Sequence, residues 1–237
     1  MRRAALVTGS ARGIGRAILL ALAEQGFDVA VHYRKSAEEA EATRREAERL
    51  GVRAIKVQGD VTRPEEARRL VHAVASELGG IQVLVNNVGD YLKKPLEAVS
   101  PAEWDWILDS NLNAPFYLTQ AALPYLCATG YGRVVNLGFA GALQLRAWPH
   151  TTPYVIAKAG LALYSKALAA RLASKGVTVN VVAPGVAENS LSKPIEEIPM
   201  GRLAGLAEVA RAVLFFIKEE NGYITGQVLE VAGGWNL

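Results

Sequence analysis

The feature that most limits the fold of this chain is a glycine-rich turn directly after its first apolar segment. The run Ala4–Val7 reads as a buried strand, and it is followed by TGSARGIG at residues 8–15 and by helical periodicity from Arg16 to Gln25. Three glycines in this turn permit a tight reversal and a close approach of the backbone to a ligand. The unpaired N–H groups at the start of the helix would then face a pyrophosphate. The pattern indicates a dinucleotide site, although a glycine-rich turn without a ligand has the same sequence. The residues of the turn that we expect to contact the dinucleotide are Gly9, Ser10, Arg12, Gly13, Ile14 and Gly15.

The rest of the chain repeats this alternation of strand and helix. Six further apolar runs follow, namely DVAVHY, VRAIKVQ, IQVLVNN, RVVNLG, VTVNVVAPG and QVLEVA. Between them the periodicity predicts helices at 36–50, 64–78, 101–127, 153–173 and 206–218. Capping-box spacings mark helix starts at Ser36, Thr62 and Ser100. We therefore predict one α/β domain over 1–237, a Rossmann-like, doubly wound parallel sheet of about seven strands with helices on both faces. The irregular region 186–200 is the candidate substrate lid.

Composition and charge exclude several other classes of protein. The 237 residues are 51% hydrophobic, and 26 Lys and Arg are interleaved with 23 Asp and Glu, which argues against a nucleic-acid surface. We expect no metal site. No apolar run reaches the length of roughly 18 residues that suggests a membrane span, and no signal peptide precedes the first strand. The single cysteine, Cys127, suits a reducing compartment, so we expect a cytoplasmic protein without membrane contact.

A basic segment follows the second predicted strand and bears on the choice of cofactor. Tyr33, Arg34 and Lys35 stand where an acidic residue would accept a hydrogen bond from the ribose 2′-hydroxyl of NAD. Cations favour a 2′-phosphate instead, so NADP(H) is predicted in preference to NAD(H). The alternative is a solvated basic turn before the next helix. Asp60 and Val61 follow the third strand, where an adenine ring would lie. Asp60 also precedes a helix, and the alternative is that it serves only to organise the start of that helix.

A tyrosine and a lysine four residues apart form a second candidate constellation. Tyr154 and Lys158 lie on one face of a helix that begins near Pro153. A phenol with a pKa near 10 exchanges protons poorly at neutral pH, but a nearby ammonium stabilises the tyrosinate and lowers its pKa. The pair would therefore supply an acid for carbonyl reduction. A partly buried tyrosine beside a surface lysine is the structural alternative.

Taken together, these motifs resemble the short-chain dehydrogenase/reductase family along nearly the whole chain. Residues 8–15 resemble its TGxxxGxG loop, NNVG at 86–89 resembles its NNAG motif, and YVIAK at 154–158 fits YxxxK. The resemblance implies a Rossmann fold and hydride exchange with a nicotinamide. It further implies Tyr154 as proton donor, Lys158 as the residue that holds the ribose and lowers the tyrosine pKa, and Asn111 in a water relay. The remaining cofactor contacts that it implies are Asn87, Gly89, Pro184 and Gly185.

The family's catalytic serine has no counterpart in this chain. Alignment on Asn136 to Gly138 places Phe139 at the serine position, whereas counting back from Tyr154 reaches Gly141. Loss of one donor to a developing oxyanion costs roughly a hundredfold to a thousandfold in rate. Hydroxyl or imidazole groups in the loop before Tyr154 are possible substitutes, and they are His150, Thr151 and Thr152.

The resemblance leaves three alternatives for function. The C-terminal segments YVIAKAGL, MGRL and YITGQVLEVAGG resemble bacterial 3-oxoacyl-carrier-protein reductases, which favours a small-molecule or acyl-thioester carbonyl substrate. HYRKSAEEA and SNLNAPFYL resemble pteridine reductases, in which an aromatic residue near the position of Tyr91 stacks on a flat ring. The third alternative is an NADP-binding protein with little turnover, because the serine is replaced. The family resemblance also implies a homotetramer.

Overall fold

Seven strands form a single parallel sheet in the computed structural model of the protein, which describes residues 2–144 and 146–236. The strands are β1 (Ala4–Val7), β2 (Asp28–Tyr33), β3 (Ala54–Gln58), β4 (Val83–Asn86), β5 (Gly132–Leu137), β6 (Val177–Pro184) and β7 (Val228–Val231). Their order across the sheet is β3-β2-β1-β4-β5-β6-β7, and every neighbouring pair is parallel. The predicted Rossmann-like sheet is thereby confirmed.

Helices cover both faces of this sheet. They are α1 (Gly13–Glu24), α2 (Ala37–Arg49), α3 (Pro64–Leu78), α4 (Pro101–Leu108), α5 (Ala114–Cys127), α6 (Thr152–Leu172) and α7 (Leu206–Ile217). One apolar core lies under α1, α2 and α7, and the second lies under α3, α5 and α6. The central strands β1, β4, β5 and β6 are buried on both sides, which explains why their sequences are mostly continuous apolar runs.

The structure differs from the predicted helix boundaries in two places that affect the site. Helix α1 begins at Gly13 instead of Arg16, so the last glycines of the turn already form its first turn. The predicted helix 101–127 is divided into α4, a π-helical turn at Asp109–Asn113, and α5. A π-helical turn inserts an extra residue into the hydrogen-bond ladder and occurs frequently at functional sites.

One predicted helix cap, at Ser100, is present in the structure, and another, at Thr62, is not. Ser100 forms the predicted capping box with Glu103 at the start of α4. Thr62, by contrast, is not the cap of α3, because Arg63 occupies that position. The backbone N–H and the hydroxyl of Thr62 both donate to Asp60 Oδ1, at 3.1 and 2.7 Å. Asp60 therefore does organise the approach to α3.

Buried polar side chains hold α6 in place on the sheet. Asn86 Nδ2 at the end of β4 donates to Asn136 Oδ1 on β5 at 2.7 Å, and Asn136 Nδ2 donates to Ser165 Oγ on α6 at 2.8 Å. Buried amides that pair in this way are specific in direction and distance. The network sets the position of the helix that carries Tyr154.

Within residues 2–144 and 146–236, no helix has the length and apolar character needed to cross a membrane. The same residues contain no cluster of three or more His, Cys, Asp or Glu side chains suited to a metal ion.

Candidate active site

The carboxyl ends of the parallel strands converge on a cavity of about 640 Å³. Ligands of open α/β sheets bind at this edge, next to the point where the strand order reverses. The predicted site residues that line the cavity are Ile14, Asn87, Gly89, Tyr154, Lys158, Pro184 and Gly185. The others lie outside its lining, in the turn after β1, in the first residues of α1, and at or just after the ends of β2 and β3. They are Gly9, Ser10, Arg12, Gly13, Gly15, Tyr33, Arg34, Lys35, Asp60 and Val61. Asn111 is buried in the π-helical turn.

The turn after β1 has the shape of a phosphate cradle. Gly9 has φ +62° and Gly13 has φ +59°, in the left-handed region that favours glycine. A Cβ atom at Gly15 would lie 2.4 Å from the carbonyl oxygen of Gly9, so no other residue fits there. Asn87 Nδ2 donates to the carbonyl of Thr8 at 2.9 Å and fixes the turn against the end of β4. The open backbone above the N-terminus of α1 therefore fits a bound pyrophosphate.

The basic segment after β2 lies beside Asp60. Arg34 Nη1 is 3.7 Å from Asp60 Oδ2, and both Arg34 and Lys35 are exposed. Although partial burial of Asp60 opposes ionisation, hydrogen bonds from Thr62 and the nearby Arg34 lower the pKa of its carboxyl. Arg12, the residue before α1, is also exposed. Arg12, Arg34 and Lys35, the predicted contacts of a 2′-phosphate, are thus all exposed cations.

Tyr154 and Lys158 both face the cavity from the first turns of α6. Lys158 Nζ donates to the carbonyl of Leu137 at 2.7 Å and lies 5.6 Å from the centroid of the Tyr154 ring. Burial lowers the pKa of Lys158 to about 7. Burial, with a smaller contribution from Tyr91, raises the pKa of Tyr154. This direction is opposite to the lowering by Lys158 that the resemblance implies, because burial of the phenol is the largest effect on it.

Asn111 presents an unpaired oxygen next to this pair. Its Nδ2 donates to the carbonyls of Asp90 and Ile107, at 2.8 and 3.0 Å. Its buried Oδ1 has no hydrogen-bond partner among the described residues. A Cβ at Gly89 would lie 2.4 Å from Asn111 Oδ1 and 3.1 Å from Lys158 Nζ, so the glycine lets both groups approach the same spot. Buried polar atoms of this kind need a polar partner, which a bound ligand or water supplies.

Phe139, one of the two residues that align with the family's serine, lies beside Tyr154. Its ring meets Tyr154 edge-on, with centroids 5.3 Å apart. Gly141, the other candidate, donates its N–H to Glu230 Oε1 on β7 at 2.9 Å and does not line the cavity. Of the two candidates, Phe139 is therefore the one that lies in the cavity beside Tyr154.

The predicted substitutes for the serine have different surroundings. His150 and Thr151 line the cavity. Thr152 does not line the cavity, and its hydroxyl is already engaged because it donates to the carbonyl of Trp148 at 2.6 Å. Ser190 and Ser192, which sequence reasoning did not consider, also bring hydroxyls to the cavity from the lid region.

Two tryptophans that sequence reasoning missed complete an aromatic wall. The Phe139 ring lies 5.7 Å from both Trp148 and Trp235, again edge-on, and Tyr91 lies 5.1 Å from Tyr154. Trp235 follows a pair of glycines close to the C-terminus, and no local pattern there signals a site. Its Nε1 donates to Glu197 Oε2 in the lid region at 3.2 Å. Residues from three distant parts of the chain therefore share one wall of the cavity.

The predicted lid, residues 186–200, lies close to the start of α1. Ala187 forms an isolated bridge with Ala204, and Ile195–Glu197 form a 3₁₀ turn. A Cβ at Gly13 would lie 2.8 Å from Asn189 Nδ2, so the lid reaches the start of α1.

Comparisons with known proteins agree with this geometry. A family model described as enoyl-(acyl carrier protein) reductase matches residues 9–236. The chain is 38% identical to the 3-oxoacyl-[acyl-carrier-protein] reductase of Staphylococcus epidermidis, over 99% of both chains. A crystal structure of a short-chain dehydrogenase from Burkholderia cenocepacia in complex with NADP superposes with a TM-score of 0.94 at 34% identity, covering 99% of this chain and 98% of that one. A blue fluorescent protein from a metagenomic library, in complex with NADPH, superposes with a TM-score of 0.93 at 32% identity and the same coverage. The glycine turn, the Tyr154–Lys158 pair and these relatives together show that the chain belongs to the short-chain dehydrogenase/reductase family of NAD(P)-dependent oxidoreductases.

Proposed function

We propose that this protein reduces a carbonyl group with NADPH, and that its substrate is a 3-oxoacyl thioester or a similar small ketone. The observation that carries the proposal is the convergence of Tyr154, Lys158 and the unpaired oxygen of Asn111 on one cavity. The relative from Staphylococcus epidermidis, which bears the name of a 3-oxoacyl reductase, supports the substrate class.

Different residues of the cavity would perform different steps of the proposed carbonyl reduction. The reduced nicotinamide, when bound, supplies the hydride that adds to the carbonyl carbon. Tyr154 donates its phenolic proton to the carbonyl oxygen, so an alcohol forms. The raised pKa of Tyr154 keeps the phenol protonated at neutral pH, as a proton donor requires. The ammonium of Lys158 can then return a proton to the tyrosinate, and the amide oxygen of Asn111 lies where it can accept a hydrogen bond from a group on that path.

We also propose that NADP(H) is preferred over NAD(H). Arg34 and Lys35 are exposed at the end of β2, and Arg34 is only loosely paired with Asp60, at 3.7 Å. A 2′-phosphate would form charge-assisted hydrogen bonds with these cations, whereas a 2′-hydroxyl would leave them without an anion. The NADP and NADPH complexes among the solved relatives support this preference.

The whole chain would act as one domain, with residues 186–200 as its lid. The support for a lid is the contribution that Asn189, Leu191 and Glu197 make to the cavity lining. Closure of this segment would exclude water from the developing alkoxide.

A second candidate substrate is a flat, conjugated ring of the kind that pteridine reductases reduce. The observation in its favour is the aromatic wall, in which Tyr91 and Phe139 both flank Tyr154. A planar substrate would stack on such aromatic rings, whereas a flexible acyl chain would pack equally well on aliphatic side chains.

The test is the oxidation of NADPH, followed by its absorbance, with a β-ketoacyl thioester, an activated diketone and a dihydropteridine. Each substrate is run with the wild type, with Tyr154→Phe and with Tyr117→Phe as a matched control away from the cavity lining. Turnover that Tyr154→Phe lowers by at least about a hundredfold, and that Tyr117→Phe retains, would support the proposal. The preferred substrate would choose between the two classes. Tight NADPH binding without tyrosine-dependent turnover would instead favour an NADP-binding protein that lacks activity.

A homotetramer is part of the proposal. Apolar side chains remain exposed on the neighbouring helices α5 and α6, where Phe116 is 43% and Leu163 is 70% exposed. Exposed apolar faces of this kind mark contact surfaces between proteins. Light scattering at micromolar concentration measures the mass directly, and a monomer would contradict this part.

We place the protein in the cytoplasm because Cys127 is its single cysteine, so a reducing compartment breaks no internal disulfide. Cell fractionation followed by immunodetection would check this location.

A further inference from the structure

A buried histidine that the proposed chemistry does not use lies next to the glycine turn. His32, the fifth residue of β2, is 2% exposed. Its Nδ1 accepts a hydrogen bond from the backbone N–H of Gly9 at 2.9 Å, and its Nε2 lies 3.1 Å from the carbonyl oxygen of Gly59. One imidazole therefore connects the turn after β1 with the turn after β3.

These two contacts determine the form of the ring. Because Nδ1 accepts from an N–H group, it carries a lone pair, and Nε2 must carry the proton that is donated to Gly59. The ring is neutral in this arrangement. Burial lowers the pKa of His32 to about 4, so the neutral form persists at physiological pH. The charges of Asp60 and Arg34 also act on this pKa, and their effects oppose each other.

The backbone around His32 is joined to the same turn. Ser10 N–H donates to the carbonyl of His32 at 3.0 Å, and His32 N–H donates to Ser10 Oγ at 3.1 Å. The hydroxyl of Ser10 donates to the carbonyl of Val7 at 2.7 Å. Ser10 therefore uses its side chain to shape the turn. Gly9, whose positive φ begins the reversal, is held by the imidazole of His32.

We propose that His32 is a positioning residue that holds the glycine turn in its phosphate-binding shape through the N–H of Gly9. The inference rests on the proposed binding of NADP(H). Loss of the imidazole acceptor would leave the Gly9 N–H without its partner and free the turn to rearrange before the pyrophosphate binds. Because the pyrophosphate is common to both nicotinamide cofactors, His32 would affect NADPH and NADH equally.

Two amide substitutions separate the two contacts of the ring. The side-chain oxygen of asparagine lies where Nδ1 of histidine lies, so His32→Asn keeps the acceptor for Gly9 and loses the donor to Gly59. The amide nitrogen of glutamine reaches the position of Nε2, so His32→Gln keeps the donor and loses the acceptor. His32→Leu removes both contacts at a similar volume.

The experiment measures the dissociation constants of NADPH and NADH by their fluorescence, together with the melting temperature of each variant. We expect His32→Gln and His32→Leu to weaken both cofactors about tenfold, which corresponds to the loss of one buried hydrogen bond. His32→Asn should bind both nearly as tightly as the wild type. Arg34→Ala serves as the matched control, because it should change the ratio of the two affinities while His32→Gln leaves that ratio unchanged.

A second readout does not depend on bound cofactor. Hydrogen exchange of the Gly9 amide, followed by NMR, should be faster in His32→Gln than in His32→Asn. Equal cofactor affinity of folded His32→Gln and wild type would overturn the inference, and so would equal weakening by His32→Asn and His32→Gln. Wild-type protein that binds neither cofactor would overturn the proposed function instead.

Discussion

The ring of Phe139 packs edge-on against the ring of Tyr154, with centroids 5.3 Å apart and planes inclined at 73°. When the chain is aligned on Asn136 to Gly138, the resemblance to the short-chain dehydrogenase/reductase family places a serine at residue 139. One side of the proposed proton donor is therefore apolar. The missing hydrogen bond has to come from another cavity group, or the substrate has to need it less.

The hydroxyl at this position can be tested by comparing Phe139→Ser with Phe139→Ala. The two variants remove the same ring and differ by a single hydroxyl. If Tyr154 reduces a carbonyl, we expect the serine variant to turn over a ketone at least about tenfold faster than the alanine variant, because a donor to a developing oxyanion is worth roughly a hundredfold to a thousandfold when well placed. Steady-state kcat values measure the difference. Equal values would mean that residue 139 does not reach the reacting oxygen.

Arg34 and Lys35 should set the preference between the two cofactors. Replacement of both by alanine should weaken NADPH binding by about tenfold or more and change NADH binding little, because only NADPH carries the 2′-phosphate. Fluorescence titration with each cofactor gives the ratio. Lys56→Ala is the control, since Lys56 is a partly exposed cation on β3 that pairs with Glu41. An unchanged ratio in the double variant would identify the basic segment as solvated surface.

Acid should destabilise the protein through His32. Its folded pKa of about 4 lies below the ordinary value of 6.5, so between these values the unfolded chain binds more protons than the folded one. Stability from this group is complete above pH 6.5 and is lost as the pH falls towards 4. From pH 7 to pH 5, the wild type should lose about 2 kcal/mol of unfolding free energy more than His32→Asn does. Urea denaturation at the two pH values measures this, and parallel losses would show that His32 does not titrate as the structure implies.

Trp235 should hold the lid through Glu197. Trp235→Phe keeps an aromatic ring but removes the N–H that donates to Glu197 Oε2 at 3.2 Å. We expect the KM of the carbonyl substrate to rise about fivefold, with a smaller change in kcat, because one partly exposed charged hydrogen bond contributes about 1 kcal/mol.

A double-mutant cycle checks that the effect runs through this contact. Glu197→Ala should raise KM to a similar extent, and the double variant should be no worse than either single one. Glu196→Ala, the adjacent carboxylate, is the control. Additive effects of Trp235→Phe and Glu197→Ala would show that the two residues act separately.

Most of the fold could be predicted from local sequence patterns. Strands buried on both faces appear as continuous apolar runs, and the spacing of four between Tyr154 and Lys158 places both on one helix face. The seven-stranded sheet and the oxidoreductase family are confirmed, whereas the roles of the individual site residues stay predictions. Where local patterns were ambiguous, as at Thr62 and at the start of α1, the boundary differed by one to three residues.

The sequence by itself determined the order of strands and helices, the glycine turn and the Tyr154–Lys158 pair, because each depends on residues that are neighbours in the chain. Only the tertiary structure decided that Phe139, Trp148 and Trp235 share a wall, that His32 reaches Gly9, and that desolvation raises the pKa of Tyr154. These features depend on which distant segments pack together and on how much water they exclude. The distances between packed side chains and the local dielectric environment are properties of the folded chain, and neither can be predicted from the spacing of residues along the sequence.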